Sequence, residues 1–231
     1  EHIIVVGARH RDASGADMDW LDFLARASGV EEAAARQTAL QVAAGDLADL
    51  LFTSGTTGRP KGVMSTHGAA VRAFTEYAKV IGLVRGDRYL IVNPFFHSFG
   101  YKAGWLTCLI AGATILPQAV FDADDILDRI QRDRISVMPG PPTLYLTMLA
   151  HPRLAQADLS SLRVAVTGAA AIPPILIERM RKALNIRVVT TAYGLTECGG
   201  LATICDPGDD ATTIATTSGK AIPGTQLRIV D

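Results

Sequence analysis

Residues 51–63, "LFTSGTTGRPKGV", combine threonine pairs, glycines, a proline and a lysine in one stretch. Glycines let the backbone approach a bound group, free amides can hold phosphate oxygens, and hydroxyls can donate hydrogen bonds or ligate magnesium. A Walker loop is excluded, because Lys61 follows Pro60 and precedes Gly62, without the hydroxyl and the helix start that the motif requires. Two interpretations remain open from these residues alone: a phosphate-binding loop and a glycine-rich surface hairpin.

Two later segments also hold residues that can do chemistry. In "NPFFHSFG", residues 93–100, His97 lies between aromatic residues and can gate a pocket, act as a base or fill a partly buried position. In "TAYGLTE", residues 191–197, a tyrosine can stack on a flat ring, while a hydroxyl and a carboxylate can serve a phosphate and its magnesium. That segment is equally compatible with a turn ending in a solvated glutamate. Neither segment decides between its alternatives by itself.

The elements that must position these segments alternate between strands and helices. Such alternation is typical of βαβ units with a mostly parallel sheet, whose sites form at the carboxyl ends of the strands. Short apolar runs predict strands at residues 3–7, 46–54, 88–93, 113–117, 162–168 and 186–191, and a strand followed by a turn at residues 135–140. Apolar residues at helical spacing, with capping residues, predict helices at residues 17–28, 67–81, 102–112, 141–149 and 172–184 and from Asp122 onward.

Some of these predictions name particular side chains. Thr66 is a helix cap, and the helix after it is predicted to bury one face formed by Ala70, Val71, Phe74 and Ala78. Asp122 and Asp125 resemble a helix start whose inner face is Ile126, Leu127 and Ile130. Residues 31–44 are either a helix or a surface loop, residues 206–224 are predicted to form a long surface loop, and residues 225–231 to end in a strand.

Composition excludes several classes of function. The chain has 231 residues, of which 48% are hydrophobic, enough for a sizeable core, and a net charge of -1 gives no reason to expect nucleic acid as a partner. Three cysteines without metal-ligand spacing predict reduced thiols in a cytoplasmic protein. No apolar stretch approaches the ~20 residues of a membrane span, and no signal peptide is visible. Both ends are expected to be cut from a longer protein, and the oligomeric state, including a homo-oligomer, is left open.

In combination, the motifs carry a resemblance. The opening loop, "FFHSFG", "VTGAA", "YGLTE" and "SGKAIPG" resemble, in order and spacing, the adenylate-forming family of acyl-CoA synthetases, luciferases and adenylation domains. The resemblance covers residues from about 47 to 231 and implies the core of that family's large N-terminal domain, with mostly parallel sheets flanked by helices. It therefore implies that residues 1–231 are an AMP-binding N-terminal domain fragment. Its start, the family's ribose-binding "TGD" motif and the small C-terminal domain with the adenylation lysine are expected to be absent.

The resemblance also implies roles for individual residues. His97 is expected near the reacting carboxylate, as a positioning or gating group, and Thr196 is expected to hydrogen-bond the α-phosphate. The loop around the β- and γ-phosphates would be formed by Thr53, Ser54, Gly55, Thr56, Thr57, Gly58 and Lys61. Magnesium would be held by Thr56 and Glu197. The strip between the adenine and the acyl group would be Gly168, Ala169 and Ala170, and the adenine side would be Ala192, Tyr193 and Gly194.

The implied activity is ATP-dependent activation of a carboxylic acid to an acyl-adenylate, followed by transfer to CoA, with Mg²⁺ as cofactor. Phrases such as "NPFFHSFGYKAG" and "PGPPT" look like actinobacterial fatty-acyl-CoA synthetases, so a fatty or sterol-derived acid is expected. The fragment is expected to do little chemistry alone. Alternatives are an acyl-AMP ligase that loads a carrier protein, an adenylation domain, and a non-catalytic nucleotide-binding remnant. Candidates for a broad apolar acyl pocket are Phe99, Tyr101, Trp105, Met138 and Pro141, each equally compatible with core packing.

Overall fold

The structure is a computed structural model that describes residues 3–5, 17–55, 58–168 and 170–230. Within it, Glu1–Ala43 and Ala44–Asp231 are two compact units. In the first unit, β1 (Ile3–Val5) pairs in parallel with β2 (Asp17–Asp19), and the helices α1 (Trp20–Ala25) and α2 (Glu32–Leu40) follow. A 3₁₀ turn at Arg26–Gly29 lies between the two helices.

The predictions for this unit are partly correct. The strand predicted at residues 3–7 is confirmed at residues 3–5, and its other residues lie outside the described part. The helix predicted over residues 17–28 is wrong at both ends. It begins at Trp20, where Asp19 caps it by accepting from the Leu21 amide at 2.8 Å, and it ends at Ala25, where the 3₁₀ turn follows. Residues 31–44, left open between helix and loop, contain α2.

The second unit is built around one parallel sheet. The strands of the second unit are β3 (Leu47–Thr53), β4 (Lys61–Thr66), β5 (Arg88–Ile91), β6 (Thr114–Pro117), β7 (Val164–Thr167), β8 (Val188–Tyr193), β9 (Thr203–Ile204) and β10 (Lys220–Ala221). β6 pairs in parallel with β5, and β7 with β8. Val137 joins the two pairs through parallel bridges to Tyr89 and Val164. β9 and β10 extend the sheet beyond β8 as antiparallel strands, whereas β3 and β4 form a separate antiparallel hairpin.

Helices cover both faces of this sheet. They are α3 (His67–Val80), α4 (Ser98–Gly100), α5 (Thr107–Ala111), α6 (Ala123–Arg132), α7 (Pro142–Leu149), α8 (Pro174–Ala183) and α9 (Ala211–Thr216), with a π-helical turn at Tyr101–Leu106 between α4 and α5. Successive strand residues point to opposite faces. Leu90 packs with α6, α7 and α8, and Tyr89 packs with α3 and α5. The predicted α/β class with a mostly parallel sheet is confirmed.

Most helix predictions agree with the structure, with one wrong side chain. Thr66 caps α3 by accepting from the Ala69 amide at 3.3 Å, and the Asp122 carboxylate accepts from the Asp125 amide at 2.9 Å. Val71, predicted to be inward, is 47% exposed. The buried stripe of α3 is centred about 100° away from it, along Ala70, Ala73, Phe74, Tyr77 and Ala78.

Three predictions near strands and loops need correction. The loop predicted over residues 206–224 contains α9, because the Asp210 carboxylate accepts from the Thr213 amide at 2.8 Å and starts a helical turn, and it also contains β10. In the strand and turn predicted at residues 135–140, the strand is reduced to the bridge at Val137. Residues 225–230 form no strand, and residue 231 lies outside the described part. No helix in the described residues is long and apolar enough to span a membrane.

Candidate active site

The opening motif forms the tip of the β3–β4 hairpin. Thr53 and Lys61 lie opposite each other at its mouth, and the described residues 54, 55 and 58–60 belong to the connection between them. Lys61 begins a strand and not a helix, which agrees with the exclusion of a Walker loop. Gly55 has a φ of +64°, and a Cβ there would lie 2.4 Å from the Arg59 carbonyl oxygen, so the turn requires glycine at this position. Thr56 and Thr57 lie outside the described residues.

A hydrogen bond joins this hairpin to the third motif. The Thr53 hydroxyl donates to the Glu197 carboxylate at 3.3 Å. Glu197 and Thr196 lie in a short 3₁₀ turn, Thr196–Cys198, that follows β8 directly. Glu197 is exposed and Thr196 is half-buried. The structure therefore brings together the hydroxyl and the carboxylate that the sequence predicts at the two ends of one phosphate site, 144 residues apart in the chain.

A cavity of about 230 Å³ lies beyond the carboxyl ends of β7 and β8. This is the position at which ligands bind in open parallel sheets. Five residues predicted for the site line it, namely His97, Gly168, Ala192, Tyr193 and Gly194. The other described site residues do not line it: Thr53, Ser54, Gly55, Gly58 and Lys61 belong to the hairpin, Thr196 and Glu197 to the 3₁₀ turn, and Ala170 is exposed. Ala169 lies outside the described residues.

Close backbone packing shapes the cavity wall. A Cβ on Gly168 would lie 3.1 Å from the Ala192 carbonyl oxygen, and one on Gly194 would lie 2.2 Å from the Gly200 carbonyl oxygen. A larger residue at either position would therefore displace this neighbouring backbone. The Tyr193 ring is 46% exposed at the cavity edge, where a flat ligand can stack on it.

His97 is exposed at the rim and makes a defined contact. Its Nδ1 accepts a hydrogen bond from the Phe99 amide at 3.1 Å, which starts the short helix α4. In the neutral ring the proton is therefore on Nε2, so this face of the imidazole can donate a hydrogen bond and cannot accept one. The geometry favours the positioning alternative for His97 over a general base.

The sequence missed eight residues of the cavity wall, namely Phe74, Tyr77, Ser98, Ala103, Val166, Thr167, Gly200 and Leu201. Phe74 was predicted to be buried, but nothing in the pattern distinguished a cavity wall from core. Burial raises the pKa of Tyr77, so its hydroxyl stays neutral. The Thr167 hydroxyl is buried and makes no hydrogen bond within the described residues. Its place in "VTGAA", a motif that the sequence singled out, was the available signal.

The five candidates for an acyl pocket lie in different places in the structure. Phe99 lines the first cavity, and Pro141 lines a second cavity of about 370 Å³ with Val92, Asn93 and Phe121. Met138 is buried in the core. Tyr101 and Trp105 stack on each other with ring centroids 4.7 Å apart and line neither cavity. The core interpretation therefore holds for Met138.

The donors near the hairpin suit a hard cation that is also held by phosphates. No group of three or more histidine, cysteine, aspartate or glutamate side chains that could hold a metal occurs among the described residues. Magnesium typically takes one or two carboxylates and completes its shell with water and phosphate oxygens. The exposed Glu197 carboxylate beside a threonine hydroxyl fits that pattern.

Comparison of the sequence with known families agrees with the parallel sheet and with the cavity at its carboxyl edge. The family model described as AMP-binding enzyme matches residues 6–231, so the chain belongs to that family. It is 51% identical, over 215 residues, to the 3-[(3aS,4S,7aS)-7a-methyl-1,5-dioxo-octahydro-1H-inden-4-yl]propanoyl:CoA ligase of Mycobacterium tuberculosis, covering 93% of this chain and 42% of that protein. It is 49% identical to the ligase of the same name from Rhodococcus jostii, covering 92% and 41%.

A solved structure agrees with both the family and the fold. The inhibitor-bound N-terminal domain of FACL13 from Mycobacterium tuberculosis superposes with a TM-score of 0.75 at 30% identity, covering 93% of this chain and 53% of that one. The predicted family and the predicted N-terminal-domain fold are confirmed. The chain spans about two fifths of the length of the curated relatives it matches.

Proposed function

We propose that the protein to which this chain belongs is an AMP-forming acid–thiol ligase. It joins a carboxylic acid to the α-phosphate of ATP, releases pyrophosphate, and transfers the acyl group from the adenylate to CoA. The observation that carries this proposal is the Thr53–Glu197 hydrogen bond, which holds the glycine-rich hairpin beside the 3₁₀ turn at the carboxyl edge of the sheet. Residues 1–231 are then a fragment of its AMP-binding N-terminal domain.

The hairpin and the 3₁₀ turn hold the phosphates in this proposal. Amides and hydroxyls of residues 53–58, together with the Lys61 ammonium, bind the β- and γ-phosphates, and the Thr196 hydroxyl binds the α-phosphate. Thr56 and Glu197 hold magnesium, which when bound offsets the charge that builds on the phosphates. Ser54 and residues 58–60 of the hairpin tip are exposed, which suits a loop that must release pyrophosphate.

The cavity holds the adenylate. Tyr193 stacks on the adenine, the backbone of Ala192 and Gly194 lies along its edge, and the strip at residues 168–170 separates adenine from the acyl group. His97 donates a hydrogen bond from Nε2 toward the carboxylate, orients it for attack and does not remove a proton, as its Nδ1 contact with Phe99 supports.

The proposed acid is a propanoate that carries a bicyclic dione, because two relatives at about half identity are ligases named for such an acid. The first cavity is lined by Phe74, Tyr77 and Phe99, which supply the apolar wall that a fused ring system needs. A fatty acid is the second candidate, supported by the similarity to the FACL13 domain. An acyl-AMP ligase for a carrier protein is the alternative acceptor class.

The test uses the full-length parent protein. Glu197→Gln is expected to lower ATP–pyrophosphate exchange with the dione propanoate by about 100-fold or more, because a metal ion on phosphoryl oxygens is worth several kcal/mol. Glu178→Gln, on an exposed face of α8, is the matched control and should keep the parent rate. Equal rates for both variants would overturn the assignment of Glu197. A thioester formed with free CoA supports the ligase, and its absence would favour the carrier-protein alternative.

A further inference from the structure

A lysine of the π-helical turn is completely buried, with 0% of its surface exposed. The Lys102 ammonium donates to the Ser65 hydroxyl at 2.6 Å and forms an ion pair with the Asp49 carboxylate at 3.3 Å. The Tyr101 hydroxyl donates to the same oxygen of Asp49 at 3.3 Å. The other Asp49 oxygen is buried and has no hydrogen-bond partner among the described residues. None of these groups belongs to the cavity or to the phosphate loop.

Asp49 and Ser65 lie on the two strands of the hairpin that carries the phosphate loop. They are opposite each other in the antiparallel register, directly after an irregularity between Leu47 and Asp49. One ammonium therefore bridges both strands near the base of the hairpin. The bridge comes from the helical segment that starts at His97, so it also fixes the hairpin to the wall of the cavity.

The apolar pattern of the hairpin does not set its register. Leu51 and Val63 are half-buried on the face that carries the polar pair, while Leu50, Phe52 and Met64 are exposed on the opposite face. Register is strongly specified only where one face is apolar and the other polar, because a slip by one residue then exposes the apolar set. With apolar residues on both faces, a slip would carry little hydrophobic penalty.

The buried charges specify the register of the hairpin instead. Removing an ammonium and a carboxylate from water costs several kcal/mol, and such pairs are poor contributors to net stability. Their best-attested use is to fix one register out of several, as a buried polar residue does in coiled coils. A slip by one residue would turn Asp49 to the opposite face and leave the Lys102 ammonium buried and unpaired.

We propose that Lys102 is a positioning residue that locks the register of the β3–β4 hairpin. The lock keeps Thr53 opposite Lys61 at the mouth of the loop and directs the Thr53 hydroxyl to Glu197. Its consequence for ATP rests on the proposed function, whereas the lock itself is a property of the fold.

The register can be measured by cross-linking in this chain. Leu50 and Met64 are opposite each other and exposed, so Leu50→Cys with Met64→Cys places two thiols across the strands, in a Cys198→Ser background that removes the one exposed native thiol among the described residues. We expect Lys102→Met to slow disulfide formation by about tenfold, because opposite thiols then meet in only a minor fraction of molecules. Lys79→Met, which removes an exposed lysine of α3, is the matched control and should leave the rate unchanged.

A second variant separates register from folding. Lys102→Met alone leaves the Asp49 carboxylate buried and unpaired, so the chain will unfold at a lower temperature. Asp49→Asn with Lys102→Met removes both charges, and we expect its melting temperature to recover while its cross-linking stays slow. Cross-linking at the unaltered rate in Lys102→Met, or full recovery of the cross-linking rate in the double variant, would overturn the lock.

The ATP arm uses the full-length parent. With the register lost, the KM for ATP in pyrophosphate exchange is expected to rise about tenfold in the double variant, and Lys79→Met should not change it. Slow cross-linking together with an unchanged KM for ATP would contradict the phosphate role of the hairpin. That result would leave the register lock standing, so the two proposals fail separately.

Discussion

The parallel sheet and the β3–β4 hairpin meet at one site but are held by different forces. The central strands of the sheet are largely buried on both faces: three of the four residues of β5 and all four residues of β7 are buried. The hairpin exposes one face, including Phe52 and Met64, and polar contacts fix it at two points, Lys102 at the base and Glu197 at the tip. Packing thus makes a stiff platform for the adenylate, while a few polar contacts hold the loop that must bind and release phosphates.

Leu127→Ala should have the largest effect, because it tests the packed side of this comparison. Leu127 of α6 is completely buried, so its truncation removes transfer energy and leaves a cavity, at a cost of about 2–5 kcal/mol in the free energy of unfolding. Leu50→Ala, on the exposed face of the hairpin, should change the same quantity by less than about 0.5 kcal/mol. Urea unfolding of both variants measures the difference, and similar losses would remove the contrast.

The next effect concerns a carboxylate at the amino end of the sheet. Asp87 accepts from the Val84 amide at 2.9 Å and from the Ser136 hydroxyl at 2.7 Å, and it forms an ion pair with Arg163. Burial by itself raises the pKa of Asp87, but hydrogen bonds from Arg163, Val84 and Ser136 outweigh it, so the pKa lies below its ordinary value of 3.8.

A depressed pKa gives the sign of the pH dependence. The Asp87 carboxylate contributes stability that is fully present above the ordinary value of 3.8 and is lost as the pH falls through the lower pKa of the folded state. Asp87→Asn should therefore cost about 1.5–3 kcal/mol near neutral pH. The gap to the unaltered chain should shrink on acidification below that value. Urea unfolding across this pH range tests it, and a gap that is constant with pH would show that the charge is not responsible.

The parallel sheet and its helices were predicted well from the sequence, because their signals are local. Continuous apolar runs such as residues 162–168 and helix caps such as Thr66 and Asp122 act locally, and the structure retains them. The prediction that Val71 is buried was wrong, because the centre of the buried stripe of α3 depends on what packs against the helix. α9 was missed because the cap at Asp210 was hidden within a segment dense in glycine, aspartate and threonine.

The hairpin was less predictable for a physical reason. The glycine-rich surface hairpin and the phosphate loop were treated as alternatives, but the structure has an antiparallel hairpin whose tip is the candidate loop. β4 begins at Lys61 with "KGVM", which has little of the alternation typical of a strand. The contacts that fix the hairpin, Lys102 with Ser65 and Thr53 with Glu197, join residues 37 and 144 positions apart, which no local pattern reveals.

The smallest effect on stability is expected at the tip of the hairpin. Gly55→Ala puts a side chain into the left-handed region and places its Cβ 2.4 Å from the Arg59 carbonyl oxygen. The cost to the free energy of unfolding should be about 1–2 kcal/mol, because alanine in the left-handed region is strained and the Arg59 backbone must shift to admit the new atom. Urea unfolding measures that cost, and ATP–pyrophosphate exchange by the full-length parent measures the effect on ATP.

Gly45→Ala is the matched control, since a Cβ there meets nothing within 4 Å and the backbone is not in the left-handed region. If the hairpin handles phosphate, Gly55→Ala should raise the KM for ATP about tenfold, and Gly45→Ala should leave it unchanged. A cost at Gly55 as large as that of Leu127→Ala would mean that the tip belongs to the packed core. A stability loss of about 1–2 kcal/mol without any change in the KM for ATP would mean that the fold requires glycine there and that the turn has no part in binding ATP. The contrast between platform and loop requires a small loss of stability together with a large change in ATP binding at the same residue.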